Sequence, residues 1–192
     1  QIYPLDRFMR VARTGDVVAF GAKYIGSPHS TGICTGKAEL VESAFMQNFI
    51  GFELAGMQGL PRPYGRPYKT DRGEVVGVVV ALRRWFSMDH EERLAIEEDK
   101  RSAFARGLAG IAGVTTSIPK ETQLGPNVTV FIHFDASVTG IDGHEVIKRL
   151  EEGDPPIWTR THDDGGSIGI GVQMLSDEEV ETVVVRLREI LS

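Results

Sequence analysis

Beyond Gly113 the chain runs twice through one pattern, two strands followed by a helix. Val114 to Lys120 and Val128 to Phe134 read as strands, parted by the turn signal Leu124-Gly125-Pro126-Asn127. Asp142 to Glu152 reads as a helix, closed by Gly153-Asp154-Pro155-Pro156. Ile157 to Thr161 and Ser167 to Val172 read as strands joined by a hairpin turn, Asp163-Asp164-Gly165-Gly166. Asp177 to Leu191 has the period of an amphipathic helix. This order predicts a compact α+β domain with helices on one face of a mainly antiparallel sheet.

The preceding half is organised differently. Leu5, Phe8, Met9 and Ala12 form a short helical stripe. Asp16 to Phe20 reads as a strand with little alternation, as expected when both faces are buried in a parallel sheet. A second short strand follows over Thr31 to Gly36, then a helix over Lys37 to Gln47. Phe49 to Lys69 is rich in Gly, Pro and aromatic residues, a long loop of the kind that is functional or meets a partner. Thr70 to Phe86 reads as a helix; its valines also suit a strand, and its length and continuity into Arg83-Arg84-Trp85-Phe86 favour helix. Another helix starts at Asp89, an N-cap with Glu92 three residues on, and runs to about Ile111. Its charge run from Glu91 to Arg101 reads as a solvated face. A domain boundary is expected inside this helix near residue 100, giving units 1–100 and 101–192.

Charged residues at 25% and hydrophobic residues at 41% are ordinary for a globular chain. The net charge of −6 argues against nucleic acid or an anionic membrane as the main partner. The single cysteine, Cys34, excludes an intramolecular disulfide and reads as a buried, inert thiol. No run approaches the roughly 18 apolar residues of a membrane span. The opening Gln1-Ile2-Tyr3-Pro4 does not read as a signal peptide, and a cytoplasmic location is the expectation. The five histidines show no metal-ligand spacing. His133 and His162, alternating with apolar residues, read as structural.

Chemistry concentrates in one segment. The apolar run Val17-Val18-Ala19-Phe20 breaks at Gly21 and delivers Lys23, with Gly26-Ser27-Pro28-His29-Ser30-Thr31-Gly32 behind it. A lysine fixed at a strand end, partly desolvated and reachable by an aldehyde, is what Schiff-base chemistry requires. A strand that ends in an ordinary solvated lysine has the same local pattern. Ser27, His29, Ser30 and Thr31 could donate to a phosphate or substrate oxygen, and His29 could equally be a turn histidine with its own hydrogen bond. Arg66, beside Arg62 and Lys69, could clamp an anion or be a surface cation. Arg160 follows an apolar strand start, and by itself reads as a strand-edge residue paired to Asp163 or Asp164.

Phe20-Gly21-Ala22-Lys23 with Gly26 to Gly32 resembles the cofactor-lysine segment of fold-type I pyridoxal-phosphate enzymes. Within those it is most similar to the selenocysteine synthase-like group, which includes seryl-tRNA selenium transferase and relatives acting on small amino acids and amino sugars. Gly65-Arg66-Pro67-Tyr68-Lys69 resembles that group's Gly-Arg-Pro-x-Lys stretch, and Glu152 to Arg160 resembles its C-terminal-domain signature. The resemblance implies an α/β fold: the end of a fold-type I large domain, with parallel-sheet strands and helices, followed by a small α+β C-terminal domain. It implies pyridoxal 5'-phosphate as cofactor, Lys23 as its covalent anchor and proton carrier, and Ser27, His29, Ser30, Thr31 and Arg66 as cofactor contacts. It implies Arg160 as the substrate carboxylate site, and lyase or transferase chemistry through an external aldimine and α-proton abstraction. Selenocysteine synthases carry a glutamine where His29 stands, so no specific role transfers to His29. The aspartate and the phosphate loop that such enzymes place before the lysine have no counterpart here; Asp6 and Asp16 are poor substitutes. The chain therefore reads as a C-terminal half, completed by a homo-oligomer or by an N-terminal half. A non-catalytic partner or oligomerisation module derived from such an enzyme is the other reading.

Overall fold

The computed structural model describes residues 3–48, 54, 56, 59, 64, 65, 67, 69–122, 125, 126 and 128–192. These form two compact units, Gln1–Met88 and Asp89–Ser192. The division falls at Met88, whose extended backbone (φ −76°, ψ 142°) ends one helix just before Asp89 caps the next. The sequence had suggested a division near residue 100, inside that second helix.

In the first unit, helix α1 (Leu5–Ala12) sets Phe8 edge-on against Phe20, with ring centroids 5.1 Å apart. Strand β1 (Val17–Gly21) pairs antiparallel with β2 (Gly32–Gly36), from Val17↔Gly36 to Gly21↔Gly32. The expected parallel pairing is thus corrected. The link spans only residues 22–31, too short for a parallel crossover of about a dozen residues or more. Nor are both faces of β1 buried: Val18 and Phe20 are half-buried, while Val17 and Ala19 are exposed. Cys34 lies opposite Ala19 and is exposed, against the buried thiol expected. An isolated two-stranded ribbon has no third layer to cover that face.

Helix α2 (Ala38–Met46) follows. Helix α3 (Arg72–Ser87) begins where Asp71 Oδ1 accepts from the N–H groups of Gly73 (2.6 Å) and Glu74 (3.2 Å). Its valines do form a helix. Trp85 and Ala81 turn inward to meet Ala22 and Ile25, and Phe8, Phe20, Ile33, Val78 and Leu82 pack around them. Most of the expected loop over Phe49–Lys69, with Arg62 and Arg66, lies outside the described residues.

The second unit opens with helix α4 (His90–Leu108), capped by Asp89, which accepts from Glu91 and Glu92 N–H at 3.0 Å. The charge run on this helix is not wholly solvated. Glu97 and Arg101 are each only 5% exposed. Burial is tolerated because Arg93 Nη1 donates to Glu97 Oε1 at 2.8 Å. Arg101 meanwhile donates to the Pro119 carbonyl (3.0 Å) and pairs with Glu98.

Strands β3 (Val114–Ser117), β6 (Thr129–Phe134), β7 (Arg160–His162) and β8 (Ser167–Gly171) form one antiparallel sheet of order β3-β6-β8-β7. Two short strands, β4 (Glu121–Thr122) and β5 (Gly125–Pro126), pair separately. The turn residues Leu124 and Asn127 lie outside the described residues. Helix α5 (Ala136–Thr139) is one short turn, α6 spans Gly143–Glu151 and α7 spans Asp177–Leu191. Val130, Ile132 and Phe134 alternate inward along β6, beside Ile168 and Ile170 of β8. They share one buried core with Phe104 and Leu108 of α4, Val146 and Leu150 of α6, and Val183 and Leu187 of α7. The expected sheet with helices on one face is therefore the architecture found. Strand β7 starts at Arg160 rather than Ile157, because the Thr159 hydroxyl itself takes the Gly169 carbonyl (2.8 Å).

Candidate functional site

At Gly21 the backbone leaves β1 for a 3-10 turn, Ala22–Ile25, so Lys23 stands on the turn and not at the strand end. Ala22 and Ile25 anchor the turn from below, at 0% and 4% exposure. The Ala22 N–H donates to the Thr31 carbonyl (2.9 Å), which clamps the loop's far end onto the turn. Gly26 closes it in a left-handed conformation (φ 86°, ψ 18°), a region that costs glycine nothing. Its N–H donates to the Lys23 carbonyl at 3.1 Å. Pro28 then packs so closely on α3 that a Cβ at Gly77 would lie 2.7 Å from the proline ring. Lys23 itself is half-buried, and its Nζ lies 4.9 Å from the centre of the Tyr24 ring. Among the described residues no carboxylate pairs with it.

The other residues singled out from the sequence fall into three groups. Ser27 is buried and Thr31 half-buried within the same turn. Thr31 Oγ1 donates toward the Pro28 carbonyl (2.6 Å) and Ser27 Oγ (2.8 Å). His29 and Ser30 sit exposed on the outer bend. Arg66 is outside the described residues. Asp16, the acid next to β1, is committed to Lys37 by a 2.7 Å contact on the surface, and Asp6 lies in α1.

Arg160 belongs to the second unit and lies exposed on the helix-free face of the sheet. It makes no ion pair among the described residues; Asp163 accepts from Ser167 Oγ (3.1 Å) instead. It lines a trough of about 360 Å³ with Phe131, Trp158, His162, Gly169 and Gly171. His133 and His162, grouped together by sequence, separate here. His133 shares a 2.8 Å hydrogen bond with Ser117 Oγ, a structural role. His162 faces the trough, its ring edge-on to Phe131 at 5.1 Å between centroids. The trough was missed in the sequence, although Trp158, Arg160 and His162 stand two residues apart, the spacing of one strand face. Among the described residues no group of three or more His, Cys, Asp or Glu could hold a metal ion, and no helix is long and apolar enough to cross a membrane.

The architecture is a mixed α/β fold with antiparallel sheets, shared with part of a solved enzyme structure. The structure is similar to that of D-glucosaminate-6-phosphate ammonia-lyase, with a TM-score of 0.66 and 23% identity, over 94% of this chain and 45% of that one. In sequence the chain is 25% identical over 183 residues to a 5'-C-glycyluridine monooxygenase-decarboxylase from a Streptomyces species, covering 94% of this chain and 42% of that protein. The chain thus spans less than half the length of both. No family model matches it.

Proposed function

We propose that this chain is the C-terminal portion of a pyridoxal-phosphate-dependent enzyme that acts on an amino acid or amino sugar by removing the α-proton, with lyase or transferase chemistry following. The observation that carries the reading is the Lys23 turn: a half-buried amine with no carboxylate partner among the described residues, on a backbone locked by Gly26 and by the Ala22–Thr31 hydrogen bond. The residues fit a cofactor bearing an aldehyde and a phosphate. Lys23 would hold the aldehyde covalently and, once released, move a proton at the substrate α-carbon. The loop residues Ser27, His29, Ser30 and Thr31 would meet the phosphate, and Arg66 is added to them by the sequence resemblance alone. Arg160, exposed and without an ion pair among the described residues, would take the substrate carboxylate in a bidentate pair. The bound cofactor supplies the electron sink for the carbanion. The amino-sugar and glycyl-nucleoside names of the two relatives support the substrate class. Placement in the selenocysteine synthase-like group rests on the three sequence segments alone.

A second reading has its own observation. Val76, Val80 and Phe86 of α3 are 61%, 58% and 62% exposed, and Leu5 and Val11 of α1 are each 50% exposed. Such faces favour association with a second copy or with further polypeptide, and a module whose task is association would need no working lysine. One experiment separates the two. The protein is incubated with pyridoxal phosphate, reduced with borohydride and digested. A pyridoxyl adduct on the Lys23 peptide, absent from Lys23→Ala, is the expected result. If wild-type protein acquires no adduct at Lys23, in the full-length polypeptide as well, the enzyme reading fails and the association module stands.

A further inference from the structure

Three side chains on the open face of the second unit's sheet have chemistry with nothing to act on. The Trp158 indole is 75% exposed, although an aromatic of this size normally buries most of its area. Arg160 has no hydrogen bond or ion pair among the described residues, and His162 has only its edge contact with Phe131. All three line one trough. Its volume, about 360 Å³, lies within the range of small-molecule sites, about 300–1,000 Å³.

The floor explains why the trough stays open. Gly169 is the cross-strand partner of Arg160 on β8. A Cβ at Gly169 would lie 2.6 Å from His162 Nε2, so the glycine is what allows the imidazole to lie across the strand. Two residues on, Gly171 has nothing within 4 Å of the position its Cβ would take. Glycine inside a strand, with open space above it, marks a place where a ligand approaches the backbone closely.

We propose that this trough binds a carboxylate whose carbon skeleton carries a ring, with the carboxylate on Arg160, a second donor in His162, and the ring laid on Trp158 over Gly171. The proposal rests on the reading of Arg160 given above and deepens it by naming the substrate class: an amino or sugar acid joined to a heterocycle or a sugar ring. An acid without a ring would leave the indole face and the glycine floor uncovered. Trp158 and Gly171 then act as specificity residues, while Arg160 supplies the charge.

Calorimetry and tryptophan emission test this on the full chain without added pyridoxal phosphate, so that failure here and failure of Lys23 to take the cofactor appear in different measurements. Uridine-5'-carboxylate, glucuronate and glycine serve as probes. Stacking of a ring on an exposed aromatic predicts binding about tenfold tighter or more for a ring-bearing acid than for glycine. Preference for the uridine or the glucuronate probe identifies which ring the trough takes. Emission changes on binding arise from Trp158, since Trp85 is only 3% exposed, and are lost in Trp158→Phe. Arg160→Gln weakens every probe about tenfold or more. Gly171→Val meets no neighbour, keeps the melting temperature, and removes the preference for ring-bearing acids. Glycine binding as tightly as both other probes overturns the proposal. So does the absence of saturable binding by either ring-bearing acid, or a ring preference that survives Gly171→Val.

Discussion

The two units solve the folding problem with very different cores. Among its described residues the second buries thirteen apolar side chains in one cluster, drawn from β6, β8 and Val172 just beyond it, and from helices α4, α6 and α7. Among the described residues the first buries four, Ala22, Ile25, Ala81 and Trp85, while Leu5 and Val11 of α1 and Val76 and Val80 of α3 are exposed. Since burial supplies about 1.5–3 kcal/mol per large apolar side chain, the described residues of the second unit contribute far more of this term than those of the first. The lysine turn sits in the unit with less core. Its rigidity comes from hydrogen bonds, a left-handed glycine, one close helix contact and the burial of Ala22 and Ile25 against Ala81 and Trp85.

The sharpest way to break this comparison is a cavity in the second unit. Leu150 is fully buried on α6. Leu150→Ala is expected to cost about 2–5 kcal/mol, from lost transfer energy and an unfilled cavity. Urea unfolding followed by hydrogen exchange reads the result: protection of β6 and β8 falls, while that of the Lys23 turn stays as it was. Equal loss in both units would show that their stabilities are coupled, and the contrast between them would disappear.

The contrast was only partly legible in the sequence. Elements set by local signals were read closely. Helix α7 spans the expected residues because Ser176 and Glu179 form a complete capping box, and the Asp163–Gly166 turn joins an antiparallel pair as expected. What failed depended on distant partners. Asp16–Phe20 looked like a strand buried on both faces because Val17 and Ala19 are apolar; only its ten-residue return to β2 decides that it is an antiparallel ribbon. Glu97 and Arg101 looked solvated because their counter-groups, Arg93 and the Pro119 carbonyl, are a matter of tertiary geometry. For the site, the lysine turn was legible as Gly-x-Lys followed by small polar residues. The trough was not, since it needs Gly169 and Gly171 brought beside Arg160 by strand register.

A smaller effect tests the first unit by itself. Gly77 of α3 faces Pro28 of the lysine loop with no room for a methyl group. Elsewhere in an exposed helix interior, Gly→Ala gains about 0.5–1 kcal/mol from chain entropy. At this position the added Cβ must push Pro28 away, and Gly77→Ala is expected to destabilise by about 1–3 kcal/mol. The measurements are the melting temperature and the rate at which Lys23 is modified by an amine reagent. Faster modification together with a lower melting temperature shows that α3 holds the turn in place. A stabilised variant with unchanged lysine reactivity would mean that the loop needs no such support.

The smallest effect separates the helices' own ends from their packing. Asp71 caps α3 with two short bonds, to Gly73 and Glu74, as Ser176 caps α7 with its capping box. Either cap replaced by alanine should cost about 1 kcal/mol by itself. The consequences differ, because α7 remains pinned by Val180, Val183 and Leu187, whereas the first turns of α3 present Val75 and Val76 to solvent and must rely on the cap. Ser176→Ala should therefore lower stability without fraying α7. Asp71→Ala should expose the amides of residues 73–76 to rapid hydrogen exchange, and the fraying should stop before Ala81 and Trp85, where packing takes over. Fraying of the same extent in both helices would mean that the small core of the first unit grips α3 as firmly as the large core grips α7.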